Sequence, residues 1–464
     1  MHAADSATLV ATRSPHPPGP SYRTPLPFMW EARPNPLAYA LRQVRSYGEV
    51  VCIRSWLLPP IFLFTRPEHV RYVLQENNRN YRKGDIVGKM KVVLGEGLFT
   101  SDGEFWRRQR RLAQPAFHRQ RIQGFAELMT DAADKSLDTW RGRALAGEPI
   151  DVMAEMSALT LAVVGRALFG VDLSDRATAV GRNMLVALEE LTRRALNPFA
   201  LPLALPLPSH RRLQRATREL DRVVFEIIEQ RRASDGNQAD LLAMLMEARD
   251  ADTGEGMTTQ QLRDEVMTFV LAGHETTAVT LAWTFHLLSR NRDVEARVRA
   301  EVAEILAGRT PALEDLPRLL LLRRVIEESL RLYPPVGAIE RMALAADEID
   351  GYAIPPGASL FLSPYVTHRD PQTWPDPERF DPDRFLPEHA ASRHRFAYFP
   401  FGAGPRLCIG NEFALMEAQL ILAMVLQRFR LEPVPGRAVE EEVRVTLRPK
   451  YGVWMIASEA SSQV

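Results

Sequence analysis

The sequence is poor in cysteine and carries no excess of charge of either sign. Its two cysteines, Cys52 and Cys408, are too few for a disulfide framework and fit a reducing cytoplasm. Lysine plus arginine and aspartate plus glutamate each number 58, which leaves no net field to gather nucleic acid or an anionic membrane. The N-terminus lacks the apolar core of a secretory signal, and no low-complexity linker divides the chain after it. We therefore predict a cytoplasmic protein with a flexible, proline-rich arm over 1–30 and a single domain over 31–464.

The longest weakly charged run, 266–289, approaches the length of a membrane span. It carries Glu275 as its only full charge, with His274 and His286 in the same run. Polar groups in the middle of an apolar run favour a helix buried inside the protein over one in lipid. We predict a buried central helix over 262–288 and no membrane anchor.

Helix and strand signals predict a mainly α fold with small β-sheets. Asn35 before Pro36 is typical of a helix cap and first position, and Gly48 would end that helix. Glycines and scattered charge predict a loop over 81–97. Prolines forbid a regular helix in the apolar stretch 196–209, which suits either a lid over a lipophilic channel or packing between helices. The predicted strand pairs are 50–55 with 61–65, 349–354 with 359–362, and 443–447 with 452–456.

A lone cysteine, Cys408, lies in the glycine-broken decapeptide 401–410, FGAGPRLCIG, directly before an apolar run at helical spacing. Glycines let the backbone approach a flat partner closely. Backbone N–H groups and the helix dipole at a helix start favour the anionic form of a cysteine, and a thiolate can bind iron. The alternative is a buried structural cysteine on a turn.

The hexapeptide 272–277, AGHETT, interrupts the apolar character of the predicted central helix. Ala272 and the following glycine remove bulk, and a threonine hydroxyl can bond a carbonyl one turn back and open a groove. Such a groove could hold water or dioxygen, whose cleavage consumes two protons. Glu275 and Thr276 are our candidates for delivering them. Packing and capping are the alternative interpretation.

Two further pairs of residues share helix faces. Trp106 and Arg110 lie four apart, so an indole N–H and a guanidinium can reach one anionic group. The other arginines of this helix would form a solvated face or a docking surface for an acidic electron donor. Glu328 and Arg331 lie three apart and can form an ion pair just before Pro334 ends the helix.

The decapeptide resembles the haem-binding loop of the cytochrome P-450 superfamily, the haem-thiolate monooxygenases. The family pattern Phe-x-x-Gly-x-Arg-x-Cys-x-Gly is matched by Phe401, Gly404, Arg406, Cys408 and Gly410. The hexapeptide, the Trp-x-x-x-Arg pair, the Glu-x-x-Arg pair and a Pro-Glu-Arg-Phe segment at 377–380 also match and occur in the family's order. An ordered set of motifs is far more specific than any one of them.

The resemblance implies haem b held between the long helix and the cysteine loop, with Cys408 as the iron ligand. It implies haem contacts from Trp106, Arg110, Ala272, Arg341, Phe401, Arg406 and Gly410, with Glu275 and Thr276 as the proton-delivering pair. It implies a buried structural triad of Glu328, Arg331 and Arg379. It implies a substrate pocket formed by Leu98, Phe99, Ala272, Val336, Ile339 and Thr446.

The implied activity is insertion of one atom of dioxygen into a lipophilic molecule, by hydroxylation or epoxidation. Because the chain ends shortly after its last predicted hairpin, we expect electrons from a separate ferredoxin and its reductase, or from a flavodoxin-type donor. A soluble, monomeric bacterial-type enzyme is expected, similar to fatty-acid hydroxylases at Leu98, Phe99 and 272–277. The alternatives are a haem-thiolate isomerase or peroxygenase, and a non-catalytic haem sensor.

Overall fold

The computed structural model describes residues 16–171, 177–195, 197, 199–233, 240–250 and 253–460. Most of these residues are helical, as predicted. The helices are α1 Pro25–Ala32, α2 Pro36–Tyr47, α3 Pro67–Arg71, α4 Asp85–Leu94, α5 Gly103–Ala113, α6 Arg119–Gln123, α7 Ala126–Ala146, α8 Val152–Phe169, α9 Ala177–Ala195, α10 Pro208–Ala233, α11 Leu241–Glu247, α12 Thr259–Arg290, α13 Arg292–Leu306, α14 Leu320–Leu332, α15 Pro364–Thr367, α16 Pro387–Ala391 and α17 Asn411–Arg428.

The strands form small sheets at the margins of the helical core. They are β1 Ser21–Tyr22, β2 Val50–Ser55, β3 Ile61–Phe64, β4 Tyr81–Lys83, β5 Pro149–Asp151, β6 Ile339–Ala343, β7 Asp347–Ile349, β8 Tyr352–Ile354, β9 Ser359–Leu362, β10 Phe429–Pro433, β11 Glu441–Val443, β12 Leu447–Pro449 and β13 Trp454–Glu459. The largest sheet has six strands in the order β1-β2-β3-β9-β6-β4.

The 32-residue helix α12 is the centre of the fold, and its prediction is confirmed. Thr258 and Gln261 form a capping box at its start, which satisfies the first free N–H groups. The helix packs against α8, α10, α14 and α17, so it is buried on most sides. Among the described residues, α8 is long and apolar enough to span a membrane, but 72% of it is buried inside the protein.

Local signals predicted local elements well. Asn35 caps α2 by accepting hydrogen bonds from the N–H groups of Leu37 and Ala38, and Gly48 ends this helix with φ 98°. The hairpin of β2 and β3 forms as predicted. The loop expected over 81–97 is wrong, because β4 and α4 occupy most of it. Met90, Val93 and Leu94 have the helical spacing of a buried face, which the flanking glycines masked.

Two predicted strand pairings are wrong. The segment 349–354 does not pair with β9; instead β7 and β8 form their own hairpin, and β9 lies between β3 and β6. The final hairpin is formed by β11 and β12, whereas β13 pairs with β10 and β5. The flexible arm expected over 1–30 lies partly outside the described residues. From Ser21 that expectation fails, because β1 pairs with β2 and α1 packs beside them.

Candidate functional site

The cysteine loop is a rigid turn directly before α17. The N–H of Cys408 donates to the carbonyl of Phe401 at 3.0 Å, which closes the loop. Gly404 adopts φ 66°, and a Cβ there would collide with the carbonyl of Leu74. Burial raises the pKa of the Cys408 thiol, although the Gly410 N–H and the charge of Arg110 act to lower it. The expected thiolate is therefore not favoured by the protein alone and needs a bound metal cation.

Two exposed side chains stand out, one in this loop and one in α12. Cys408 is surrounded by protein yet accessible to a water-sized probe. Ala272 is also accessible, although its helix neighbours Leu271 and His274 are buried. Exposure of a side chain in the middle of a buried helix means that no protein group packs against it there. Open space beside Ala272 and beside the Cys408 thiol fits a flat, apolar group that a thiolate can bind.

Cations line one rim of this space. Arg110 donates to the Leu407 carbonyl at 3.0 Å, and Arg406 lies over the Trp106 ring at 4.8 Å. Arg406 also bonds Asp102, while its Nη1 is buried without a partner among the described residues. Arg341 is buried, which together with nearby Arg406 lowers its pKa to about 10. This excess of buried positive charge fits a group that carries carboxylates.

Lys83, which the sequence analysis missed, belongs to the same rim. Its Nζ donates to the carbonyls of Leu98 at 2.9 Å and Phe99 at 2.7 Å. Burial and the nearby charge of Arg406 lower its pKa to about 7. A lysine at the end of a short edge strand has no distinctive sequence pattern, so only the fold places it here.

Glu275 and Thr276 point in different directions from α12. The Thr276 hydroxyl donates to the Ala272 carbonyl at 2.6 Å, the bond one turn back that was predicted to open the groove. The Glu275 carboxylate accepts from the Thr446 hydroxyl at 3.1 Å and from Arg448 at 3.2 Å. The acid therefore faces the turn between β11 and β12. A proton transferred from Glu275 to Thr276 must therefore bridge two diverging side chains.

The predicted pocket residues lie around the same space to different degrees. Phe99 and Val336 are each 39% exposed, whereas Leu98 is 7% exposed. The Ile339 side chain lies beside Gly402 of the cysteine loop. Thr446 is buried against Glu275 rather than free in the pocket. The accessible walls are thus largely apolar, which suits a lipophilic ligand.

Arg331 is the centre of a completely buried network. It bonds Glu328 through Nε at 2.6 Å and Nη2 at 2.8 Å, and both side chains are 0% exposed. It also donates to the carbonyls of His368, Pro377 and Arg379.

The expected third member of the triad, the side chain of Arg379, is exposed and contributes only its carbonyl. The guanidinium nearest to Glu328 after Arg331 is that of Arg384, 3.5 Å away. A second Pro-x-Arg-Phe segment, 382–385, therefore supplies the residue that the sequence analysis assigned to 377–380.

The basic run on α5 is partly internal. Arg111 bonds Asp250 at 2.9 Å, and Arg108 donates to the carbonyls of Glu255 and Gly256 at 3.3 Å. These contacts attach α5 to the segment before α12. The Arg108 side chain is only 19% exposed, whereas that of Arg111 remains 53% exposed.

The exposed Cys408 thiol, the exposed Ala272 in the middle of α12 and the cations beside the loop are the features of a haem-thiolate oxidoreductase. The family model for cytochrome P450 matches residues 17–454, and the chain belongs to the cytochrome P450 family. Its cofactor is haem b, and it is a P450 monooxygenase.

Similar proteins extend over nearly the whole chain. Cyclooctatin synthase of Streptomyces melanosporofaciens is 41% identical over 416 residues, covering 89% of each chain. Pentalenene oxygenase of Streptomyces avermitilis is 33% identical, covering 90% of this chain and 92% of that protein. The crystal structure of the cytochrome P450DA heme domain superposes with a TM-score of 0.84 at 27% identity, covering 96% of this chain and 97% of that one.

Proposed function

We propose that the protein oxidises a cyclic terpenoid at a C–H bond. The observation that carries this proposal is the exposure of Ala272 in the middle of the buried helix α12, together with the exposed Cys408 thiol. The names of the relatives support the substrate class, since cyclooctat-9-en-7-ol 5-monooxygenase is 40% identical over 405 residues. A rigid hydrocarbon needs contact area rather than a charged anchor, which agrees with the apolar walls at Phe99 and Val336.

Cys408 is the thiolate ligand of the haem iron in this proposal, with Phe401 and Gly410 shaping the loop around it. Arg110, Arg341, Arg406 and Lys83, with the Trp106 indole, hold the haem carboxylates. The arginine Nη1 that lacks a partner gains one in this way. When bound, haem supplies the reductive activation of dioxygen, for which thiolate ligation favours O–O cleavage.

Thr276 holds a proton at its hydroxyl oxygen, beside the carbonyl of Ala272. Glu275 supplies protons to it from the side of the β11–β12 turn, where Arg448 and Thr446 orient the carboxylate. A group so placed contributes about 10²–10⁴-fold to a reaction rate.

We further propose that 31–464 acts as one cytoplasmic, monomeric domain that takes electrons from a separate ferredoxin or flavodoxin-type donor. The packing of α12 against helices from both halves of the chain supports a single domain. The exposed side chains of Phe199, Leu201 and Leu205 support a lid role for the described part of 196–209.

The substrate class is tested with the purified protein and a surrogate ferredoxin and reductase. We expect cyclic diterpene alcohols to shift the absorbance of the ferric haem and to give a product with one added oxygen. Fatty acids and polyketides of similar size are the comparison ligands. A shift and product with fatty acids alone would replace the terpenoid proposal.

The site is tested separately by substitution. The reduced wild-type protein under carbon monoxide should give the red-shifted absorbance of thiolate-ligated haem, and Cys408→Ser should lose it. Thr276→Ala should lower product per dioxygen about 100-fold, whereas Thr276→Ser should retain most of it. Unchanged turnover in Thr276→Ala would favour an isomerase or peroxygenase, and absence of product with every donor and ligand would favour a sensor.

A further inference from the structure

Three buried side chains near the start of the pocket wall keep polar atoms without a hydrogen-bond partner among the described residues. They are Ser101 Oγ, Glu265 Oε1 and Thr268 Oγ1, in residues that are 0%, 1% and 4% exposed. Buried polar atoms are almost always satisfied by protein or by ordered water. All three side chains meet the segment 97–101, since Glu265 bonds the Leu98 N–H and Thr268 Oγ1 lies beside Gly97. We therefore take them as one polar passage that ordered water can enter.

Two of the three residues, Glu265 and Thr268, lie on the face of α12 that carries the groove. Glu265, Thr268, Ala272 and Thr276 follow one another at intervals of three, four and four residues, which places them along one side of the helix. Glu265 is about 16 Å from Thr276 along the axis at 1.5 Å per residue. The path from this acid to the groove thus has one hydroxyl, that of Thr268, part of the way along it.

Glu265 is also connected to the cationic rim. Its Oε2 accepts from the Leu98 N–H at 3.0 Å, while Lys83 donates to the Leu98 carbonyl at 2.9 Å. Burial is the main reason that the pKa of Glu265 is raised to about 7; the Leu98 N–H and the charge of Lys83 act to lower it, and Asp264 acts to raise it. The charges that face Lys83 are those of Arg406, Asp102, Arg341 and Glu265. An acid with a pKa near the working pH is best suited to donate protons and recover them.

We propose that Glu265 is the start of a second proton route, which passes through Thr268 and ordered water to Thr276. This inference rests on the proposed monooxygenase function and on Thr276 as the inner proton donor. The reaction RH + O₂ + 2 H⁺ + 2 e⁻ → ROH + H₂O takes its electrons from the redox partner and consumes two protons per turnover. A proton leaves the Glu265 carboxyl for the passage, and the carboxylate is reprotonated from the side of Lys83 and solvent.

This route is separate from that of Glu275. Glu275 faces Thr446 and Arg448, whereas Glu265 faces Leu98. Glu265 acts on the reaction only through Thr268 and Thr276. The simpler alternative is that Glu265 only braces the Leu98 backbone.

Glu265→Gln separates the two roles, because the amide can still accept from the Leu98 N–H but cannot release a proton. With Glu275 in place, we expect product per electron pair to fall about tenfold and the solvent isotope effect to rise. The limb of the pH–rate profile near pH 7 should disappear. Thr268→Val should give the same changes, and Thr268→Ser should reverse them. Thr284→Val, at a buried threonine of the same helix beyond the groove, is the matched control.

Infrared difference spectroscopy gives a readout that does not depend on turnover. We expect a protonated-carboxyl band that titrates near pH 7 in the wild type and is absent in Glu265→Gln. If wild-type protein forms no product, the proposed function has failed, and this band alone decides the inference: its presence supports it and its absence overturns it. The second route would be overturned if Glu265→Gln kept the wild-type values of product per electron pair, solvent isotope effect and pH–rate profile. If Glu265→Gln fails to bind haem, the Thr268→Val and Thr268→Ser pair decides in its place.

Discussion

Glu328 on α14 and Glu265 on α12 are both almost completely buried carboxylates, but the regions around them differ. Glu328 has hydrogen bonds on both oxygens, from Arg331 and from the Asp381 N–H. Glu265 has one, from the Leu98 N–H, and its other oxygen has no partner among the described residues. A carboxylate with hydrogen bonds to both oxygens holds the chain in one arrangement. A carboxylate with one oxygen unbonded can still accept a water molecule or hold an exchangeable proton.

The largest expected effect on stability is at Glu328, whose two oxygens are both hydrogen-bonded. Arg331→Ala leaves Glu328 buried without its main countercharge, which should cost about 3–5 kcal/mol of unfolding free energy and most of the bound haem. Urea unfolding and haem content measure these losses. The control Arg323→Ala removes an exposed pair with Glu327 and should cost at most about 1 kcal/mol. A stable, haem-loaded Arg331→Ala protein would contradict the contrast between the two regions.

Glu265, which has one unbonded oxygen, should make the stability of the protein depend on pH. Burial raises the pKa of Glu265 from 4.5 to about 7, so between these values the folded state keeps a proton that the unfolded state has released. Stability therefore falls as pH rises through this window, by roughly 3 kcal/mol, and the loss ends above pH 7. Glu265→Gln should remove that slope in urea titrations between pH 4.5 and 8. The exposed control Glu388→Gln should keep it, and a wild-type slope in Glu265→Gln would show that the acid ionises normally.

Glu275 lies between Glu328 and Glu265 in its number of hydrogen bonds, since one of its oxygens accepts two. Arg448→Met should cost about 1.5–3 kcal/mol of unfolding free energy, because it removes a hydrogen bond to a charged group while that of Thr446 remains. Arg444→Met, which removes a more exposed pair with Glu442 at the same turn, is the control and should cost less than about 1 kcal/mol. Equal losses in the two variants would mean that burial of the partner carboxylate does not matter here.

The smallest effect on stability is expected at the lid. Leu201 is 52% exposed, so Leu201→Ser should change the unfolding free energy by no more than about 0.5 kcal/mol. The half-saturation concentration for a lipophilic substrate should nevertheless rise, because the variant loses apolar contact. Thermal unfolding and substrate titration of the same preparation test this. A marked fall in melting temperature would show that 196–209 packs between helices instead.

Most of the fold was predictable where the signal is local. The Asn35–Pro36 start of α2 and the long apolar run of α12 depend on neighbours in sequence, and both predictions are confirmed. Pairing between strands that are distant in sequence was not predictable in this way: Ile61 pairs with Ser359, and the order of strands depends on the whole chain.

The candidate site shows the same limit. The cysteine loop and the hexapeptide were found because each is a contiguous motif. Arg384 was missed because 377–380 matched the same short pattern first, and Lys83 and Glu265 because single charged residues carry no motif. Only burial and missing partners, which require coordinates, distinguish Glu265 from an ordinary helix glutamate.

The turn between β11 and β12 contacts α12 at two levels. Thr446 and Arg448 bond Glu275, and two turns farther along the helix the Trp283 indole donates to the Leu447 carbonyl at 2.9 Å. A substitution that moves this turn would also move the hydrogen-bond partners of the Glu275 carboxylate. Variants at 443–448 should therefore be screened for peroxide release as well as for product.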